Sequence, residues 1–89
     1  MKIEFDPIKR GATLQARGLD FADAGVVFAA RTITVRDARH DYGEARYITV
    51  GALRDKIVVM VWTPRDQARR IISMRHTNDK ETGFYRAAI

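Results

Sequence analysis

The stretch that decides the fold runs from Arg46 to His76, "RYITVGALRDKIVVMVWTPRDQARRIISMRH". It holds three apolar runs rich in β-branched residues, separated by two short polar breaks. "RYITVGAL", "KIVVMVWT" and "ARRIISMR" read as strands. Arg54-Asp55 makes the first tight turn and "PRDQ" the second. Pro64 is expected to end its strand, because it cannot donate to a ladder. Strands joined by so little chain can pair only as antiparallel hairpins.

Upstream, "TITV" from Thr32 to Val35 is β-branched throughout and adds another strand, joined to the block by the polar connection "DARHDYGEA". Before it the periodicity is helical. Asp20 opens "DFADAGVVFA", with Asp23 complementing the exposed amides and Phe21, Ala24 and Phe28 on one face. Asp6-Pro7 is a cap followed by a residue suited to the first helical position, so a helix should run to about Ala16 and stop near Gly18. Lys2 to Phe5 alternate as a short opening strand. Downstream, Asn78 and Glu81 have the spacing of a capping box, followed by a stripe of Phe84, Tyr85 and Ala88. The expected order is β-α-α-β-β-β-β-α. This is one α+β domain over residues 1–89, an antiparallel meander with one face under the helices and the other partly open. Trp62, Met60 and Val58 are expected in the core, with Phe5, Phe21 and Phe28.

Composition narrows the function classes. The 89 residues are 46% hydrophobic and 30% charged, which suits a globular domain. There is no cysteine, hence no disulfide, thiolate nucleophile or cysteine metal site. "MKIEFDPIKR" has no apolar run of signal-peptide type and no stretch could span a bilayer, so a cytoplasmic location and no membrane partner are expected. A net charge of +5, from 16 Lys plus Arg against 11 Asp plus Glu, suggests a polyanionic partner such as nucleic acid or an acidic protein.

Regular alternation along the last strand places Arg69, Ile71, Ser73 and Arg75 on one face and Arg70, Ile72, Met74 and His76 on the other. Tyr47 and Thr49 form a matching polar face. A floor of Tyr47, Thr49, Ser73 and Arg75 suits a stacked base and a phosphate. Arg75 could instead be a strand-end arginine paired with Asp79 or Glu81, and His76 a solvent-exposed one at the helix start. His40 lies in the polar connection with Glu44 four residues on and Arg46 beyond, where a histidine beside a carboxylate can serve as acid or base near neutral pH. Arg65, at a sheet end, could hold a phosphate. Tyr85, one helical turn after Glu81, could pack on the sheet with its hydroxyl at the basic floor. Two histidines more than thirty positions apart match no ligand spacing, so neither metal nor cofactor is expected.

Several separated segments together resemble the BrnT family, toxins of type II toxin–antitoxin pairs with a RelE-like ribonuclease fold. "FDPIK" and "LQARGLDFADAGVVF" are similar to the family's Trp-Asp-Pro-x-Lys and Leu-x-x-x-Gly-x-x-Phe-x-x-Ala-x-x-Val-Phe. "DARHDYGEAR" is similar to Asp-x-x-His-x-x-x-Glu-x-Arg. "TPRDQARRIISMRHTNDKETGFY" resembles Thr-x-Arg, Arg-Ile-Ile-Ser-Ala-Arg and Glu-x-x-x-Tyr in order. Phe5 departs from the family's Trp, Ala16-Arg17 from Lys-His, Met74 from Ala and His76-Thr77 from a basic-Ala pair. The resemblance implies metal-independent RNA cleavage that blocks translation. It also implies a BrnA-like antitoxin that covers the active surface and binds operator DNA. On that reading the RNA 2′-hydroxyl attacks the adjacent phosphate. Arg75 and Arg65 carry the phosphorane charge, His40 or Glu44 is the base, and His76, Lys80 or Tyr85 the acid. Arg69, Arg46, Tyr47 and Ser73 contact RNA. A nucleic-acid or protein-binding module without catalysis, including an inactivated toxin, is the alternative.

Overall fold

The computed structural model describes residues 1–89. The elements are β1 (Lys2–Phe5), α1 (Pro7–Arg17), a 3-10 turn (Phe21–Asp23), α2 (Ala24–Ala29), β2 (Thr32–Arg36), β3 (Tyr47–Leu53), β4 (Lys56–Arg65), β5 (Ala68–His76) and α3 (Asp79–Ala88). Their ends follow from local chemistry. The Asp6 carboxylate accepts the Ile8 N–H at 2.8 Å to start α1, and Gly18 at φ 68° ends it by donating to the Leu14 carbonyl. Asn78 and Glu81 form a complete capping box on α3. The segment opened by Asp20 departs from the expected helix. Its side chain accepts the Ala22 N–H and holds a 3-10 turn, and the α-helix begins only at Ala24.

The strands make one five-stranded sheet of order β1-β5-β4-β3-β2. β2 to β5 form the antiparallel meander, joined between β3, β4 and β5 by two-residue turns after Leu53 and Arg65. The sheet is nevertheless mixed, because β1 lies parallel to β5 with Lys2 opposite Ala68 and Phe5 opposite Ile71. Alternation in "KIEF" reveals a strand but not its partner or direction. β1 is placed by burying Ile3 and Phe5 against the main core and by the Glu4–Arg70 ion pair at 2.6 Å. β4 also continues through Pro64. The Arg65–Ala68 pair closes the hairpin, so the proline nitrogen is directed away from β5, and β3 has no residue opposite it.

Helices lie on both faces, not one. The 3-10 turn and α2 bury Leu19, Phe21, Ala24 and Val27 with Val58, Met60, Trp62, Ile71 and Met74. α3 lies on the opposite face, where Tyr85 and Ile89 pack on the smaller cluster of Val50, Ile57 and Val59. Phe84, expected in the helix stripe, is 69% exposed. α1 covers the outer edge of β5 beyond the end of β1, with the Arg17 guanidinium donating to the Met74 carbonyl at 2.8 Å. Gly51 lets α2 settle on β3, since a Cβ there would stand 2.8 Å from Val27 Cγ1 and 2.9 Å from Thr32 Cγ2.

One irregularity governs the site. Ser73 pairs with Val61, but Ile71 pairs with Trp62, so Ile72 is an extra residue without a partner. Such a bulge reverses the facing of everything beyond it. Ile71 and Met74 therefore both enter the main core, at 2% and 0% exposure.

Candidate functional site

The cross-strand register sets Val35, Ile48, Val61 and Ser73 in a single row across β2, β3, β4 and β5. The next row, Ile33, Val50, Val59 and Arg75, runs under α3, which buries Val50 and Val59. The helix stops short of the first row. Val35 is 54% exposed, and Ile48, Val61 and Ser73 are half-buried. The result is an open apolar strip with one hydroxyl, beside the helix.

Arginines border the strip. The Arg75 guanidinium donates twice to Glu81, at 2.9 and 3.0 Å, and once to the His76 carbonyl. The fork-to-fork geometry raises the Arg75 pKa and, with the Asn78 amide, holds the Glu81 carboxyl down at about 2. Tyr85 and Arg39 both lie within electrostatic reach of Arg75. Arg39 rises from the connection between β2 and β3, clamped on Asp37 by two bonds of 2.8 Å. That clamp, joined by the Tyr42 hydroxyl, holds the buried Asp37 carboxyl well below the usual carboxylate range. Arg70 faces the same side, held by Glu4. Each bordering arginine is thus fixed by a carboxylate yet keeps free donors.

The residues singled out from sequence fall into separate groups. Arg75, Ser73 and Tyr85 come together on the α3 face. Tyr47 and Thr49 do not join them, because the register places both on the α2 face, where Tyr47 stacks on Trp62 at 5.1 Å and Thr49 accepts the Trp62 indole N–H. Arg69 also lies there, with its guanidinium 4.0 Å above the Phe28 ring. The expected floor of Tyr47, Thr49, Ser73 and Arg75 is therefore split by the bulge, which turns Ser73 and Arg75 to the face away from Tyr47 and Thr49 and also parts Arg69 from Arg75. His76 points to the far side as well, its Nε2 3.0 Å from the Arg17 carbonyl oxygen. Arg65 and Arg75 are not neighbours. Arg75 pairs with Val59, six residues along β4 from Arg65, or about 20 Å at about 3.3 Å per residue.

The connection from Asp37 to Arg46 is ordered by its own contacts. Glu44 bonds Arg46 at 3.1 Å and lies 3.7 Å from Arg65. Arg46 lies 4.0 Å over the Tyr42 ring, and His40 meets that ring edge-on. Glu44 is thus committed to two arginines, whereas His40 has only its ring contact and is exposed. Lys80 is exposed in the first turn of α3. No three His, Asp or Glu side chains converge as a metal-ligand set. Sequence reasoning missed Arg39 and Arg70. Arg70 sat on the wrong face of a strand taken as regular, and Arg39 was one of several charges in a connection whose course alternation cannot predict.

Residues 5–81 match the family model described as ribonuclease toxin, BrnT, of type II toxin–antitoxin system. No curated protein matches the chain.

Proposed function

Because the chain belongs to the BrnT family of ribonuclease toxins of type II toxin–antitoxin systems, we propose that it is a RelE-like endoribonuclease that works without a metal from the open strip beside α3. The RNA 2′-hydroxyl attacks the adjacent phosphorus and the 5′-oxygen leaves, giving a 2′,3′-cyclic phosphate and a 5′-hydroxyl. Arg75 stabilises the charge that develops on the phosphorane, with Arg39 beside it. Tyr85, within reach of Arg75 on the same face, protonates the leaving oxygen. His40, next to Arg39 and free of ion pairs, is the base. Glu81 orients Arg75, and a carboxyl with a pKa of about 2 is too weak a base for the remaining job. A BrnA-like antitoxin silences the enzyme in the cytoplasm by covering the strip, and operator DNA is reached only through that antitoxin.

The observation that carries this reading is the uncovered row Val35–Ile48–Val61–Ser73 ending beside a bidentately held arginine. The test is cleavage of purified RNA in chelator by antitoxin-free protein. Cyclic-phosphate ends are expected, with the rate falling about 10²–10³-fold in Arg75→Ala, the scale for losing a preorganised charge-stabilising donor. Cleavage by Arg75→Ala at the wild-type rate would falsify the assignment. The competing reading, a binding module without catalysis, is favoured by the neutralisation of Arg75 by Glu81. It predicts that growth is not arrested when the protein is expressed without antitoxin.

A further inference from the structure

The seven ion pairs hold Arg10, Arg39, Arg46, Arg54, Arg65, Arg70 and Arg75. Arg17 and Arg86 donate to backbone carbonyls instead. Three arginines have neither kind of partner: Arg31, Arg36 and Arg69. Two of these flank the aromatic stack on the α2 face. The register sets Arg36 opposite Tyr47 and Tyr47 opposite Trp62, all on one side of the sheet. Arg69 covers the other end, 4.0 Å over Phe28 and 5.3 Å over Trp62. Its Nε is buried against the rings with no acceptor, so its charge is uncompensated and only the outer nitrogens can meet an anion. Arg31 stands at the opposite end of β2.

The stack is rigid. The Trp62 indole donates to Thr49 Oγ1 at 2.8 Å, and Thr49 is bonded to Thr34, also at 2.8 Å. Tyr47 lies on the fixed indole at an interplanar angle of 29°. The carboxylates in the neighbouring segments, Glu4 on β1 and Asp37 and Glu44 in the connection after β2, are already taken by Arg70, Arg39, Arg46 and Arg65. Positive charge without compensation therefore meets a half-buried aromatic platform on the face away from Arg75.

We infer that this face is a second, non-cleaving site for single-stranded RNA, in which a base stacks on Tyr47 and Arg36 and Arg69 take phosphates on either side of it. Three strand spacings of about 4.8 Å and an offset of two residues along β5 put the two arginines about 16 Å apart, which is the span of a short run of nucleotides. Uncompensated arginines around an aromatic ring supply the two terms that bind single strands without sequence preference, counterion release and stacking. The site rests on the ribonuclease reading for its purpose, to hold substrate while another part of the strand reaches Arg75. Its binding is independent of cleavage.

The test uses a labelled 2′-O-methyl oligoribonucleotide, which cannot undergo 2′-hydroxyl attack. Binding is followed by anisotropy and by the emission of Trp62, the single tryptophan. Binding should change that emission. Arg36→Ala, on an exposed strand end, should lower the salt slope by about 0.7, and Tyr47→Leu, which keeps the apolar contact, should weaken binding about tenfold. Arg75→Ala should slow cleavage of the unmodified RNA by about 10²–10³-fold while the Trp62 response persists. If that response is absent, or if both α2-face variants bind as wild type does, the second site is wrong, whatever happens at Arg75. If the response depends on Arg36 and Tyr47 but no RNA is ever cut, the site stands and the ribonuclease reading falls.

Discussion

Glu81 does three things at once: it caps α3, fixes the rotamer of Arg75 and brings a carboxylate to the edge of the open strip. Its folded pKa, about 2, lies below the ordinary value of 4.5. The ionised form is therefore favoured in the folded state, and the pair stabilises the fold fully above about pH 4.5. That contribution is lost as pH falls through 4.5 towards 2. Glu81→Gln should then lower the melting temperature at pH 6, with the difference from wild type shrinking to nothing near pH 2. A difference independent of pH would mean that the cap alone, not the charge, matters. At Arg75 the informative change is to lysine. Lysine keeps the charge but cannot make the two parallel bonds. If the guanidinium fork acts on the phosphorane, Arg75→Lys should lose most of the cleavage rate; a site needing only positive charge would keep it, as measured by single-turnover kinetics.

The bulge at Ile72 is the element-level feature on which the site depends. It lets Ile71 and Met74 share the core and turns Ser73 and Arg75 to the other face. Deleting Ile72 removes only the extra residue: Ile71 stays opposite Trp62, Ser73 opposite Val61 and Met74 opposite Met60, so the strand becomes regular and each remaining side chain keeps its face. The deletion variant should therefore still unfold cooperatively on heating. Loss of a cooperative transition would mean that the extra residue itself, through the local bend it puts into β5, is needed for the fold. Gly51→Ala should destabilise, by about 1–3 kcal/mol in denaturant titration, because both close neighbours are side chains packed between α2 and the sheet. Elements with their own chemical punctuation were legible in the sequence. Asp6-Pro7 and Gly18 bounded α1, the capping box bounded α3, and Arg54-Asp55 marked a turn. Two things were not legible. The direction of β1 depends on a partner more than sixty positions away. The bulge has no glycine or proline to mark it, and "RRIIS" offers adjacent isoleucines that suit either register. Half the candidate floor was misplaced for that reason alone, while the pairing of Arg75 with Glu81 was within reach because it is local.

At the scale of the whole molecule, stability is divided unevenly between the two faces. The α2 face holds the large cluster of ten buried residues around Met60 and Trp62, whereas the α3 face holds three, and no residue of α3 is itself fully buried. α3 is held by Tyr85 and Ile89 on that small cluster, by Arg86 on the Asp55 carbonyl and by the Arg75–Glu81 fork. A helix attached by so little buried surface should open before the sheet does. The same motion would widen the open strip and release Arg75 from its carboxylate, which connects the weak docking of α3 to the proposed site. Native-state hydrogen exchange should therefore find the α3 amides exchanging through a local opening well below the free energy of global unfolding, while the amides of β3 and β4 exchange only through the global event. Arg75→Ala removes one of the attachments and should lower the protection of α3 further without changing that of Val58 or Met60. Equal protection of α3 and β4 in the wild-type protein would mean that the helix unfolds only with the sheet, and that Arg75 never leaves Glu81 in the folded state.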